Sequence, residues 1–295
     1  VIETVSQKIS GRRFPDWMRR SVPERSCAKT REILRRHRMT TVCREAACPN
    51  QSECFARETA TFMILGDVCT RRCLFCSVKS GVPGVLETDE PRRVALAVRE
   101  LGLRYAVVTS VTRDDLEDEG AGHFAETVSR IRAENPGILV EVLTPDFHNR
   151  AECIRKVVES LPAVYNHNVE TVRALQAAIR PDADYRRSLG VLETVKKLNS
   201  GMVTKSGLMM GLGETMEEIR ATVEDLRSAG CDILTLGQYL PPTSNHPAAK
   251  EFVAPEVFDR LADEFKALGF RQVFSGPYVR SSYHAEDAFA AENQQ

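Results

Sequence analysis

The 295-residue chain lacks net charge: forty basic side chains stand against forty-one acidic ones, a formal −1. Such a balance offers no overall electrostatic attraction to nucleic acid or to an anionic membrane. Local basic stretches such as REILRRHR, Arg31 to Arg38, read as the solvated face of a helix. No apolar run approaches the roughly 20 residues that span a bilayer. The opening VIETVSQKISGRRFPDWMRR has no apolar stretch of the kind that forms a secretory signal. Internal repeats, low-complexity segments and long linkers are missing too. The glycines compose no dinucleotide fingerprint, because GLGETM offers G-x-G without a third glycine. These absences point to a cytosolic (cytoplasmic) protein that meets neither membrane nor nucleic acid. Its 42% hydrophobic and 27% charged residues suit an ordinary globular core.

What is present begins with a change of character along the chain. Residues 1–60 carry few strand signals: KTREILRRHRM reads as a helix, and CREAACPNQSECFARE as an irregular, cysteine-punctuated loop. From residue 61, short β-rich apolar runs alternate with amphipathic helical stretches. Strands are expected at 61–65, 105–110, 138–144, 163–167, 204–210 and 232–239. The helical pattern at 90–101 sets Val94, Ala97, Val98 and Leu101 on one face, and similar patterns follow each later strand. Gly230 and Gly269 are placed to stop two of these helices, and Pro255 to start one. Strands alternating with helices imply parallel βα units. Six in a row predict an α/β fold, a partial (β/α)6 TIM-like barrel with N- and C-terminal extensions. A doubly wound open sheet is the competing arrangement. Either one gathers ligands at the C-terminal ends of its strands. The polar tail after Ala285 is expected to fray.

Nine cysteines in a reducing compartment are not expected to pair as disulfides. Six are clustered. Cys43, Cys48 and Cys54 are spaced C-x4-C-x5-C, and Cys69, Cys73 and Cys76 are spaced C-x3-C-x2-C directly after the first strand. Cys153 and Cys231 lie in apolar patterns and read as core residues, whereas Cys27 stays unassigned. Structural zinc takes four Cys or His ligands, but the count here is three plus three, with no His between Cys43 and Cys76. Iron–sulfur clusters accept thiolates from irregular short loops. A cluster held by three of them keeps one iron open for another ligand.

The second triad, with Phe75 before its last cysteine, resembles the radical S-adenosylmethionine superfamily. Together with the upstream triad and the stretches DEPRRVALAV, VTRDDLEDEGA, NHNVET, YRRSLGVL, TKSGLMMGLGET and GPYVRSSYHA, the chain closely resembles the lipoyl synthase family within it. The resemblance runs from about Trp17 to Ala285. It implies an enzyme, a sulfurtransferase, that inserts two sulfur atoms at C6 and C8 of an octanoyl chain carried on a protein lysine. It also implies two [4Fe–4S] clusters and S-adenosyl-L-methionine as cofactors. One cluster, on Cys69, Cys73 and Cys76, chelates S-adenosylmethionine and passes it an electron. The resulting 5′-deoxyadenosyl radical abstracts hydrogen. The auxiliary cluster, on Cys43, Cys48 and Cys54, gives up the sulfur, and Ser282 of RSSYHA fills its fourth position. An oxygen ligand suits iron in a soft cluster less well than thiolate, so it is expected to leave readily. Arg280 is expected to orient the tail or donate to the cluster region.

By position in the family pattern, Thr109, Ser110, Asn168 and Gly211 are expected at S-adenosylmethionine, with Arg186 or Arg187 on its carboxylate. Asp114 and Asp115 are expected either to position substrate or Arg113, or to sit at a solvated helix start. No metal is assigned to His123, His148, His167 or His246, although a supporting role suits His167. The resemblance divides the chain into an extension at 1–60 bearing the auxiliary triad, a barrel at 61–275 and a tail at 276–295 supplying the serine. It names as partners octanoylated lipoyl carrier domains, those of 2-oxoacid dehydrogenase E2 subunits and the glycine cleavage H protein. An electron donor such as ferredoxin or flavodoxin completes the set. The alternatives are another radical sulfur-inserting enzyme, such as a methylthiotransferase, for whose extra RNA-binding domain no room is left, or a zinc or iron–sulfur binding module.

Overall fold

Runs such as TFMI, YAVVTS and ILTLGQ are apolar without alternation, the mark of parallel strands covered on both faces. The structure, a computed structural model, describes residues 15–18, 27–283 and 285–286. His284 and the polar end beyond Glu286 lie outside the described residues, as does most of the stretch before Cys27. The N-terminal segment forms helix α1 (Ala28–Arg36), the two-residue strand β1 (Thr40–Thr41) and two short helices, α2 (Val42–Glu45) and α3 (Gln51–Ala56). The cysteine-rich stretch is therefore not an irregular loop throughout. Each helix is followed within two residues by a non-glycine at positive φ, Ala47 after α2 and Glu58 after α3, which stops it.

The barrel opens with β2 (Thr61–Ile64), followed by the small strands β3 (Val68–Cys69) and β4 (Lys79–Ser80) and helix α4 (Glu90–Leu101). Next come β5 (Tyr105–Ser110), α5 (Ala121–Glu134), β6 (Leu139–Leu143), α6 (Ala151–Glu159) and β7 (Val164–Asn166). Then follow α7 (Gln176–Ile179), α8 (Tyr185–Leu198), β8 (Val203–Met210), α9 (Met216–Ser228), β9 (Ile233–Gln238), α10 (Pro255–Lys266) and β10 (Gln272–Gly276). The helical pattern expected after the strand at 163–167 starts instead as a 3-10 turn at Arg173–Leu175 that runs into α7. Gly230 and Gly269 follow α9 and α10 at positive φ, and Pro255 opens α10.

The main sheet runs β1-β2-β5-β6-β7-β8-β9-β10. Its parallel strands follow chain order without reversal, whereas a doubly wound sheet would reverse. The fold is thus a partial barrel. All six expected strands form, and two more extend them: β1 pairs antiparallel with β2, and β10 pairs parallel with β9. Apolar helix faces pack outside the strands, with Val94, Phe124, Ile154, Leu192, Val223 and Phe258 each at most 1% exposed.

The lumen holds a polar knot. Lys205 Nζ donates to both oxygens of Glu141, at 3.0 and 3.1 Å. Tyr105 Oη and Asn166 Nδ2 donate to the same carboxylate at 2.7 and 3.0 Å. Lys205 and Glu141 are 2% and 1% exposed, so each charge depends on the other. Burial, with the Glu141 charge added, pushes the Tyr105 hydroxyl well above its usual pKa.

Candidate functional site

The C-x3-C-x2-C loop is tied down at nearly every residue. Parallel pairing of β3 with β4 closes its base, and Gly81 N–H donates to Cys69 O at 2.9 Å. Thr70 N–H donates to Thr112 O at 3.0 Å, Leu74 N–H to Ile179 O at 2.8 Å, and Arg72 N–H to Asp182 Oδ2 at 2.9 Å. Inside the motif, Arg71 is 6% exposed and forks between two carboxylates. Its Nη1 and Nη2 donate to Asp146 at 2.8 Å each, and its Nε and Nη2 to Asp114 at 2.9 and 2.7 Å. The cysteine loop is thereby bolted to the loops after β5 and β6. Burial would raise the Asp146 carboxyl, but hydrogen bonds from Arg71 outweigh it and hold that carboxyl far below its usual range. Asp115 pairs with Arg113 at 2.8 Å. Of the two expected acids, Asp114 therefore serves the cysteine loop, and Asp115 is the one on Arg113.

Cys69 Sγ accepts backbone N–H groups from Arg71 and Thr112, at 3.4 and 3.3 Å. Burial pushes the Cys76 thiol up to about 12, and charge on Cys73 and Cys69 adds to the rise. The Cys73 thiol is raised by burial too, against the opposing charge of Arg180. In the other triad, burial lifts Cys54 to about 12 and Cys43 to about 11, with Cys48 contributing to both and Cys43 to Cys54. Each set of three sulfurs is close enough to repel as thiolates, and a bound cationic centre would relieve that repulsion. Asp114, Glu119 and His148 converge within 4.8 Å, but Arg71 and Arg150 already neutralise the acids at 2.7 and 3.4 Å.

Both triads line one cavity of about 570 Å³ at the C-terminal ends of the strands, and Ser282 is on the same wall. Thr109, Ser110 and Asn168 line it as well. Thr109 Oγ1 donates to Leu143 O at 2.9 Å; Asn168 donates to Glu170 at 3.0 Å and accepts from Ser281 Oγ at 2.9 Å. Arg186 is exposed on α8 and Arg187 reaches Asp146 at 3.4 Å, and neither lines the cavity. Gly211 is also outside the lining. Its φ of +96° and a Cβ position 2.4 Å from Glu251 O tie it to loop packing. The cysteines outside the triads behave as read: Cys153 and Cys231 are fully buried. Cys27 donates to Ser52 O at 3.2 Å.

Sequence reasoning did not single out Arg71, Glu170 or Arg180. Arg180 donates to Val169 O at 2.9 Å and lines the cavity 7% exposed, while its Nε has no hydrogen-bond partner. His167 Nδ1 faces Thr144 O at 2.9 Å and so must carry the proton, which leaves the buried, unpartnered Nε2 as an acceptor. Burial, with the Arg180 charge, lowers His167 to about 4, so it is neutral. Ser110 Oγ is the third buried cavity atom without a partner. A guanidinium N–H, a neutral acceptor and a hydroxyl are thus left open to a polar ligand beside the three thiols of the Cys69–Cys76 loop.

Residues 63–226 match the model of the Radical SAM superfamily. The chain is 52% identical to the lipoyl synthase of Caldanaerobacter subterraneus over 93% of this chain and 96% of that one. It is 49% identical to lipoyl synthase 2 of Thermosynechococcus vestitus, over 94% and 98%. Among solved structures it resembles HydG, a maturase of the [FeFe]-hydrogenase, with TM-score 0.59, 14% identity, 84% of this chain and 63% of that one. Methylornithine synthase follows with TM-score 0.56, 14% identity, 72% and 63%. The chain spans less than two thirds of these two structures, and the likeness concerns fold alone. Among the described residues no helix is long and apolar enough to cross a membrane. The chain belongs to the lipoyl synthase family of radical S-adenosylmethionine enzymes, whose chemistry uses S-adenosylmethionine and a [4Fe–4S] cluster.

Proposed function

We propose that this chain is a lipoyl synthase that inserts sulfur at C6 and C8 of an octanoyl chain borne on a carrier-domain lysine. The observation that carries the reading is the convergence of both cysteine triads and Ser282 on one cavity. In this reading Cys69, Cys73 and Cys76 hold a [4Fe–4S] cluster with one iron open to S-adenosylmethionine. Cys43, Cys48, Cys54 and Ser282 hold an auxiliary [4Fe–4S] cluster. When bound, these groups supply a radical able to take hydrogen from unactivated carbon, and sulfur to replace it.

The chain's own part is binding, orientation and exclusion of water. Arg180, the cavity-lining arginine whose buried Nε has no hydrogen-bond partner, is the candidate partner of the S-adenosylmethionine carboxylate. Neutral His167 accepts from its amine or ribose, beside Ser110 and Asn168. Met63, Val107 and Leu143 offer an apolar wall along which an acyl chain packs. Arg71 holds the cysteine loop in register with that wall. The extension at 1–60 and the tail at 276–295 then serve one half of the site and the barrel at 61–275 the other. Carrier domains of 2-oxoacid dehydrogenase E2 subunits or the glycine cleavage H protein, a ferredoxin or flavodoxin donor, and a cytoplasmic setting complete the reading.

Mass spectrometry of an octanoylated carrier peptide, incubated with reconstituted enzyme, reductant and S-adenosylmethionine, is the test. The expected product gains two sulfurs and loses two hydrogens. Cys69→Ala should abolish cleavage of S-adenosylmethionine, and Cys43→Ala should spare cleavage yet give no product. Lipoyl product from Cys43→Ala would refute the sulfur-donor assignment.

A further inference from the structure

Gly207 and Gly237 stand in the buried interiors of β8 and β9. Glycine weakens a strand interior unless a backbone must approach closely. Both positions face the lumen, and what approaches them is the chain's own C-terminal segment. A Cβ on Gly237 would lie 2.2 Å from Val279 O, and one on Gly207 would lie 2.6 Å from Ser281 Oγ and 2.9 Å from Asn168 Oδ1. Gln238 N–H donates to Pro277 O at 3.3 Å, at the point where the segment leaves β10. Asn50 Nδ2 then donates to Tyr278 O at 2.7 Å, Ser281 Oγ to Asn168 Oδ1 at 2.9 Å, and Tyr283 Oη to Glu53 Oε1 at 2.8 Å. Ser282 is thus strung between an anchor on the barrel and an anchor on α3, one residue before Cys54.

We propose that Gly207 and Gly237 are positioning residues: together they cut a slot in the barrel wall that seats residues 276–283 and so fixes where Ser282 stands. The inference rests on reading Ser282 as a cluster ligand and adds the part of the barrel that holds it there. A methyl group at Gly237 meets backbone, which yields only if the segment moves. A methyl at Gly207 meets chiefly side-chain oxygens, so its effect is smaller and partly reversible by trimming Ser281.

The test uses the anaerobically reconstituted full chain with three readouts: hydrogen exchange across 276–283, iron per chain, and cleavage of S-adenosylmethionine. Gly237→Ala should speed exchange of the segment by about tenfold or more and lower iron by about half through loss of the auxiliary cluster, with cleavage retained. Gly84→Ala, whose Cβ meets nothing within 4 Å, is the control and should match the unaltered chain. Unchanged exchange and iron in Gly237→Ala would overturn the proposal. If that variant does not fold, Gly207→Ala decides: restored protection on adding Ser281→Ala supports the slot, and no restoration overturns it. Ser282→Ala separates this inference from the reading beneath it. Full iron and full product in that variant remove the ligand role of Ser282, while the exchange data still judge the slot.

Discussion

Replacing Arg71 by Gln puts the geometry of the cysteine loop under direct test. Four charge-assisted bonds of 2.7 to 2.9 Å disappear. Asp114, with 27% of its side chain exposed, can rehydrate, but Asp146 at 0% cannot. Among the described residues, its carboxylate keeps the His148 N–H at 3.1 Å and Arg187 at 3.4 Å. Breaking a buried pair costs about 3–5 kcal/mol, and these remaining partners place the loss near about 3 kcal/mol, roughly 150-fold in the folding equilibrium. The pH dependence has a definite sign. In the native chain the Asp146 carboxyl is depressed, so its stabilisation is present above the unfolded carboxylate value near about 4 and is lost as pH falls through the folded value. Without Arg71, burial dominates and raises that carboxyl, so the variant loses stability as pH rises. Urea unfolding of the cluster-free chain should show a gap that widens from about pH 4 to about pH 7. Adding Asp146→Asn should close part of the gap by removing the unpaired charge. A loss under about 1 kcal/mol, or a gap flat in pH, would refute the argument.

Lys205→Met should cost about 3–5 kcal/mol by leaving the Glu141 charge buried, and Glu141→Gln in the same chain should recover part of the thermal stability lost. His167→Phe should weaken S-adenosylmethionine binding about tenfold by calorimetry, the worth of one buried hydrogen bond to a charged or polar ligand; equal affinity would rule out the acceptor role. Because the folded value of His167, about 4, is below the unfolded 6.5, its contribution to stability is lost as pH falls between those values. His167→Phe should abolish that part of the acid sensitivity. Gly211→Ala should cost about 1–3 kcal/mol through its positive φ and its contact with Glu251, lowering the melting temperature without changing S-adenosylmethionine affinity.

The barrel strands were legible because a strand covered on both faces is an unbroken apolar run. β10, QVFSG, escaped because all five of its residues are half-buried and two are Ser or Gly. The cysteine triads were legible because the spacing of each is local in sequence. Arg71 was not: it and Arg72 read alike, yet one is buried and the other exposed. The difference arises from Asp114 and Asp146, which lie 43 and 75 residues further on. Arg180 was hidden for the same reason, since the backbone it caps belongs to another turn of the chain. Gly211 drew notice as part of a motif, but its constraint comes from Gln238 and Glu251.

The anchors on the C-terminal segment also set an order of assembly. Asn50 and Glu53 find their partners 228 and 230 residues downstream, among the longest loops the fold closes. Such contacts form late, because loop-closure entropy is spent before they return anything. During synthesis the Cys69–Cys76 loop can meet β5 and β6 as soon as those strands emerge. Glu53, in the helix that contains Cys54, meets Tyr283 only after the C-terminal segment has been made. The seam between the upstream cysteine helix and the C-terminal segment is therefore the last part of the cavity wall that synthesis can complete.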